Sequence, residues 1–253
     1  MQKTFSILLL SATITGVSSV GIAAASSVNQ VSYGSLTGSE VVTFEDLPQI
    51  SAPGTNYDNI FVSGGVSFAE RFVGQTLSTL NNFDQLSGSP NAGLALQIGA
   101  ANQNINVFAG NYNGKYGNVL DGLGPIGYPS YDAIGEGSFA LRFSTDQSQF
   151  GFSLVGGDGG NAYISFFKRD GSLIDSITVS GLSNTYYGFS REGGVMDIAG
   201  ISIYNDDLGG VAFDDLKHDV RSNENNSVPE PASMALLGIG IAGLFAFRER
   251  KMK

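Results

Sequence analysis

Two acidic dipeptides lie near the two ends of the central part of the chain. Glu45 and Asp46 follow Thr43-Phe44, and Asp214 and Asp215 follow Ala212-Phe213. Strict alternation would place each second acid on a buried face, where a carboxylate needs a partner or a metal ion. If the first and last strands pair, some of these four side chains would meet and supply oxygen ligands for Ca²⁺. The alternative is that they end strands and face water.

A second set of side chains is suited to recognition. Sugar binding needs aromatic surfaces with polar groups beside them. The segment from residue 99 to 137 is rich in glycine, asparagine and tyrosine, and we expect it to be a long loop region. Its candidate ligand-binding residues are Tyr112, Tyr116, Tyr128 and Tyr131. The alternative is a surface loop without a ligand.

Several kinds of catalysis are excluded or disfavoured by composition. The chain has no cysteine, which excludes thiolate chemistry and disulfides. His218 is its single histidine, and we expect it at the solvated end of the last strand, so a serine nucleophile lacks a base. We therefore expect no enzyme. Glycoside hydrolysis by two carboxylates stays an alternative, with candidates Glu45, Glu70, Glu136 and Glu192.

The elements that must position these residues are short strands. Apolar residues alternate over runs of three to seven residues, separated by turn residues, and no run has helical periodicity. Asp170-Gly171 predicts one hairpin turn. We predict an all-β fold, an antiparallel β-sandwich of jelly-roll type with about ten strands. The predicted runs are 41–44, 66–68, 94–98, 105–108, 139–143, 150–154, 162–167, 173–179, 201–204 and 211–216.

The charge distribution separates the ends of the chain from its middle. The formal net charge is −10, to which Lys3 contributes +1 and residues 248–253 contribute +3. Residues 26–247 therefore carry −14, which disfavours nucleic acid as a partner because phosphates would be repelled. Divalent cations and neutral polymers are more favourable partners than nucleic acid for this acidic segment.

The N-terminus has the order of a secretory signal peptide. Lys3 precedes an uncharged stretch that ends in small residues. Ala23 and Ala25 occupy the positions that signal peptidase recognises, and Ser26 follows them. We predict a signal peptide over residues 1–25, a lead-in over 26–39 and the β-sandwich domain over 40–218. An uncleaved membrane anchor is the alternative.

The C-terminus has three parts after a polar linker at residues 219–227. A motif at 228–231 precedes an apolar stretch of sixteen residues at 232–247 and a basic tail at 248–253. As a helix this stretch is about 24 Å long, slightly short for a bilayer core of about 30 Å. We predict a single membrane helix with the basic residues on the cytoplasmic side. These basic residues are Arg248, Arg250, Lys251 and Lys253.

This tripartite end resembles the PEP-CTERM sorting signal of Gram-negative bacteria that make extracellular polysaccharide. The resemblance covers residues 228–253 and rests on Val228, Pro229, Glu230 and Pro231, followed by the apolar stretch and the basic tail. It implies export through the inner membrane and a membrane-anchored precursor that exosortase processes toward the cell surface or extracellular matrix. An ordinary C-terminal anchor is the alternative.

Three functions are compatible with this organisation. The first is a non-catalytic surface or matrix protein that binds polysaccharide with the help of a structural Ca²⁺ ion; the domain resembles carbohydrate-binding jelly rolls, which often hold such an ion between their terminal strands. The second is a structural matrix protein without a specific ligand. The third is the glycan-active hydrolase.

Overall fold

The computed structural model describes residues 27–112 and 115–219. This part of the chain forms two large antiparallel sheets and two short strand pairs, joined by turns and three short 3₁₀ segments. The predictions for the signal peptide, the linker beyond Asp219, the motif, the membrane helix and the basic tail lie outside these residues. No helix among the described residues is long and apolar enough to cross a membrane.

Sheet A has eight strands. In spatial order they are β1 (Val28–Val31), β16 (Tyr186–Arg191), β13 (Gln149–Gly156), β18 (Val211–His218), β11 (Lys115–Gly122), β10 (Ile105–Tyr112) and β3 (Thr55–Tyr57), with β2 (Glu40–Val42) also paired to β18.

Sheet B has six strands. In spatial order they are β15 (Leu173–Ser180), β14 (Asn161–Phe167), β17 (Ile198–Asn205), β12 (Phe139–Gln147), β5 (Val66–Ala69) and β4 (Phe61–Ser63). The remaining strands form two pairs, β6 (Arg71–Phe72) with β9 (Leu96–Gln97) and β7 (Thr76–Leu80) with β8 (Phe83–Ser87).

The two sheets bury one aromatic core between them. The ring of Phe139 on sheet B lies 4.8 Å from that of Phe213 on sheet A. The rings of Phe166 and Phe189 lie 5.6 Å apart across the same interface. Alternate residues of facing strands enter this core, which makes the fold a sandwich. The all-β antiparallel prediction is therefore confirmed, whereas the strand order does not by itself confirm the jelly-roll type.

Each predicted strand run overlaps a strand, least of all the run 94–98, where β9 covers only Leu96–Gln97, and the Asp170-Gly171 hairpin is also present. The backbone N–H of Lys168 donates to the carbonyl of Ser172, and Gly171 has a φ of 85°, as a tight turn between β14 and β15 requires. β1 lies within the predicted lead-in, residues 26–39, and pairs with β16.

The prediction that residues 99–137 are loop-rich outside the run 105–108 was wrong in the first half of the segment. β10 and β11 pair over eight residues each, from Ile105 opposite Gly122 to Tyr112 opposite Lys115. Glycine and asparagine are common in loops, but here Gly110 faces Gly117 and Ala109 faces Asn118 within the ladder. Ladder hydrogen bonds offset the weak strand propensity of these residues.

The expectation for His218 was also wrong. Its side chain is 2% exposed and its ring lies 5.2 Å from that of Phe143 in the core. Its Nδ1 atom lies 3.3 Å from the side-chain oxygen of Gln147. β18 ends with this residue between the sheets because the chain continues to Asp219, which accepts a hydrogen bond from the backbone of Ser148.

Candidate functional site

The two acidic dipeptides lie near neighbouring strands, as predicted. Val42 on β2 faces Leu216 on β18. The strict alternation of buried and exposed faces that the sequence predicts is broken at both acidic dipeptides. Phe44 is buried with a φ of 59°, a left-handed conformation that turns the chain away, so that Glu45 and Asp46 are exposed.

A bulge produces the second failure. Gly151 faces Lys217 whereas Ser153 faces Asp214, so β18 has one extra residue at this point, and Asp215 has a φ of 47°. Phe213 and Leu216, three positions apart, consequently both enter the core. Asp215 is half-buried outside the core and does not share the face of Phe213.

The four carboxylates do not converge on one point. Asp46 accepts a hydrogen bond of 2.6 Å from the hydroxyl of Ser63. Glu45 accepts one of 2.9 Å from the backbone N–H of Asn118. Within residues 27–112 and 115–219, no group of three or more histidine or acidic side chains could hold a metal ion. The predicted Ca²⁺ site is therefore not assembled, because the left-handed turn and the bulge direct its ligands apart.

The predicted tyrosine cluster is only partly brought together. Tyr128 and Tyr131 both donate hydrogen bonds to one turn, at the carbonyls of Gly54 and Ala52, over 3.3 and 2.8 Å. Tyr116 lies on β11 and is 54% exposed. The side chain of Tyr112 is outside the described set. The Tyr128 and Tyr131 hydroxyls therefore hold a loop in place, and only Tyr116 and Tyr131 present large exposed surfaces.

A different aromatic site lies on the outer face of sheet B, where the β7–β8 hairpin covers part of it. Two cavities of about 520 and 260 Å³ share Tyr163 as a wall. We call them together the aromatic groove. Its principal residues are Leu80, Asn81 and Gln85 from the hairpin, Tyr163, Ser165 and Thr178 from strands β14 and β15, Ser202 and Tyr204 from β17, and Asp158, Asp206 and Leu208 from the loops at one end.

The hairpin forms one wall of the groove because of its turn and one anchoring bond. Asn81 and Asn82 have φ values of 52° and 68°, which is the conformation of a two-residue hairpin turn that asparagine tolerates. The side-chain amide of Gln75 donates to the hydroxyl of Ser202 over 3.1 Å in a buried position. This bond joins the hairpin base to β17 and leaves the space above Tyr163 and Tyr204 open.

The far end of the groove is built on a buried carboxylate. Asp207 is 0% exposed and accepts hydrogen bonds from the backbone N–H groups of Asp158, Gly160 and Gly209, all between 2.8 and 3.0 Å. Gly160 is required here, because a Cβ would lie 2.4 Å from the Cα of Asp207. Asp207 thus fixes the glycine-rich loop that presents Asp158.

Tyr163 and Tyr204 form a stacked pair at the centre. They are directly opposed on β14 and β17, and their ring centroids lie 4.7 Å apart with an interplanar angle of 15°. Each side chain is half-buried. Stacking fixes both rings, so a ligand would meet a surface that is already ordered.

Asp206 orients this pair. The Tyr163 hydroxyl donates to one oxygen of Asp206 over 2.9 Å, and the backbone N–H of Asn161 donates to the other over 2.6 Å. Partial burial alone would raise the pKa of Asp206, but the hydrogen bonds from Asn161 and Tyr163 outweigh it and lower this pKa. The same hydrogen bond, followed by burial, raises the pKa of Tyr163. Asp206 is therefore ionised and Tyr163 neutral at physiological pH.

The groove combines aromatic, polar and apolar surfaces. It combines an aromatic pair, hydroxyls and amides with two exposed leucines at its mouth, Leu80 at 57% and Leu208 at 84%. Isolated apolar side chains at such exposure are ordinary, but here they border a concave site. None of the four glutamates considered for hydrolysis lines it.

Sequence reasoning missed this site although it predicted both central strands. Tyr163 and Tyr204 occupy outward positions of the predicted runs 162–167 and 201–204. The available signal was a tyrosine among small polar residues on the outer face of each strand. Their stacking depends on which strands are neighbours, and the sequence pattern does not specify that.

The molecule is thus an antiparallel β-sandwich with a ligand-sized aromatic groove on one outer face. Comparison with known proteins indicates how the protein is sorted. Residues 227–251 match the family model of the PEP-CTERM protein-sorting motif. Searches of curated proteins and of solved structures found no match for the chain.

The matched motif indicates how the whole chain is exported and processed. The match covers about a tenth of the sequence, ends two residues before Lys253, and confirms the sorting signal predicted over residues 228–253. It implies an exported protein whose membrane-anchored precursor is processed by exosortase toward the cell surface. Because the match excludes the sandwich, it assigns no ligand to the groove.

Proposed function

We propose that this protein is a non-catalytic, polysaccharide-binding protein of the cell surface or extracellular matrix of a Gram-negative bacterium. Signal peptidase would remove residues 1–25 and exosortase would cut near Pro231. The observation that carries the binding function is the aromatic groove, with its stacked Tyr163–Tyr204 pair oriented by Asp206. The pairing of β2 with β18 supports the jelly-roll type proposed for the sandwich.

The physical basis of binding is preorganisation. Sugar rings have apolar faces that pack on aromatic rings, and hydroxyl edges that need hydrogen-bond partners. Cavities of about 300–1,000 Å³ are typical of ligand sites, and the larger part of the groove is about 520 Å³. Because Asp206 and stacking fix the tyrosines beforehand, little side-chain entropy is lost when a ligand binds.

The test is polysaccharide binding by the mature protein on an array of bacterial and plant glycans. We expect Tyr163→Ala with Tyr204→Ala to weaken binding by about tenfold or more, since each ring contributes on the order of 1 kcal/mol. Tyr131→Ala is the matched control, because Tyr131 is 66% exposed and lies outside the groove. Thermal unfolding of each variant shows whether the fold is retained.

The outcomes separate the three candidate functions. Binding that the double variant loses and the control retains supports the proposal. Absence of binding to any glycan would favour a structural matrix protein. Release of reducing sugar from a bound glycan, abolished by replacing one glutamate, would favour a hydrolase instead. The mass of the mature protein from culture tests the two processing sites independently.

A further inference from the structure

We infer that the aromatic groove selects polysaccharides that lack acidic groups and rejects those carrying carboxylate, sulfate or phosphate. This inference rests on the proposed polysaccharide-binding function and specifies its ligand class. The observation behind this inference is the negative charge of the groove. That charge comes from acidic residues and not from the stacked tyrosines.

The residues lining the groove include two acids and no base. Asp158 and Asp206 stand at the loop end of the larger cavity, and no lysine, arginine or histidine is among the described residues that line either cavity. Acidic glycans are normally bound by arginine or lysine, whose donors neutralise the ligand charge. In this groove an acidic sugar would lose water without gaining a cationic partner.

The two acids differ in what they offer a ligand. Asp206 is ionised, and its oxygens already accept bonds from Asn161 and Tyr163, so it acts chiefly as a fixed negative charge. The carboxylate of Asp158 is exposed and makes no hydrogen bond to the described residues. It has acceptor capacity for the hydroxyl donors of an uncharged sugar. The groove therefore repels anions and accepts hydroxyl hydrogen bonds.

The first experiment compares polymers that share a backbone and differ in charge. Hydroxyethyl cellulose is paired with carboxymethyl cellulose, and dextran with dextran sulfate, in affinity electrophoresis of the mature protein. We expect the uncharged member of at least one pair to bind about tenfold more tightly at low salt, because like charges in an interface are strongly disfavoured. The ratio should fall as salt screens the groove.

The second experiment locates the source of the discrimination. Asp158→Lys should raise affinity for the acidic member of the bound pair about two- to fivefold, as expected for one exposed charge, and change affinity for the uncharged member by less than about twofold. Asp132→Lys makes the same change of charge on an exposed residue that does not line the groove. We expect this control to leave both affinities unchanged.

The results distinguish failure of this inference from failure of the proposed function. Equal or tighter binding of the acidic members would overturn the selectivity while leaving polysaccharide binding intact. An equal gain from Asp132→Lys would also overturn it, because the overall negative charge of the protein would then be the cause. If no polymer and no arrayed glycan binds, the proposed function itself fails.

Discussion

The carboxylates of two regions of this sandwich are held in opposite ways. In the aromatic groove, Asp206 is partly exposed, receives three donors and has a lowered pKa. Beside the segment from Gly135 to Ser138, Asp84 and Asp121 are almost fully buried, and burial raises the pKa of both. Donor number and solvent access, more than residue type, decide which acids are charged.

The buried region stabilises its acids with few partners. Asp121 accepts one bond from the side chain of Asn106 over 2.9 Å and one from the backbone N–H of Gly135 over 3.2 Å. No charged group of the described residues is among the causes of its pKa shift. Asp84 accepts from the backbone N–H of Ser138 over 3.0 Å, and the charge of Arg71 only partly opposes the effect of burial. Burial thus keeps both acids protonated to a higher pH than an ordinary aspartate, for Asp84 up to about pH 6.

Among the substitutions that test this contrast, Asp121→Asn is expected to have the largest effect on stability and on its pH dependence. The folded chain keeps this proton to a higher pH than the unfolded chain, so stability falls as the pH rises above about 4 toward the raised folded-state pKa. Removing the acid should remove its share of that slope and stabilise the protein at pH 7. The gain is about 1.4 kcal/mol for each unit of the pKa difference, less the cost of accommodating the amide.

Urea unfolding midpoints measured from pH 4 to pH 8 check this expectation. Asp132→Asn is the control, since Asp132 is an exposed acid in the connection between β11 and β12 and makes no buried hydrogen bond. A wild-type slope that persists in Asp121→Asn would mean that Asp121 is ionised in the folded protein, and the contrast with the groove would be lost.

Asp84→Asn should have a smaller effect in a narrower range of pH. Burial raises the pKa of Asp84 to about 6, so the loss of stability it causes occurs between about pH 4 and pH 6 and is complete above that range. The substitution should flatten the curve in this window and stabilise the protein at pH 7 by up to roughly 3 kcal/mol, at about 1.4 kcal/mol for each pKa unit. Loss of the attraction to Arg71 would reduce the gain.

The same urea series measures the Asp84 window, and combining the two substitutions tests whether the acids act separately. Additive changes are expected if the sites are independent. A variant that is less stable than the wild type throughout would show that the Ser138 bonds need the charged carboxylate.

The sequence predicted the strands better than the sites, for a physical reason. Runs such as 150–154 and 162–167 alternate because one face of each strand enters the core, and this signal is local. The failures occur where one residue departs from extended geometry. A left-handed Phe44 and an extra residue at Asp215 reverse the faces of the acidic dipeptides. Phenylalanine rarely adopts a left-handed conformation and aspartate does so only occasionally, so the sequence predicts neither departure.

The groove and the buried acids could not be predicted from the sequence, because both depend on the pairing of strands that are far apart in the chain. Tyr163 meets Tyr204 across strands that are about 40 residues apart in the chain. Asp121 is buried by Gly135, whose position depends on contacts with Val211 and Asn205. By contrast, the sorting motif is recognised as a linear segment, so its residues could be identified without a fold.

The smallest effect on stability is expected from Asp206→Asn. The pKa of Asp206 is lowered, so its stabilisation is present at neutral pH and is lost only as the pH falls below 3.8 through the folded-state value. The residue is partly exposed, and solvent screening limits the loss at pH 7 to under about 1 kcal/mol.

Tyr163→Phe is the companion variant, because it removes the same hydroxyl bond and retains the ring. Glycan binding measured alongside urea unfolding should decrease in both variants by more than stability does. If Asp206→Asn instead destabilised the protein at pH 7 by well over about 1 kcal/mol, Asp206 would belong to the fold, and the distinction between a binding carboxylate and structural ones would not hold.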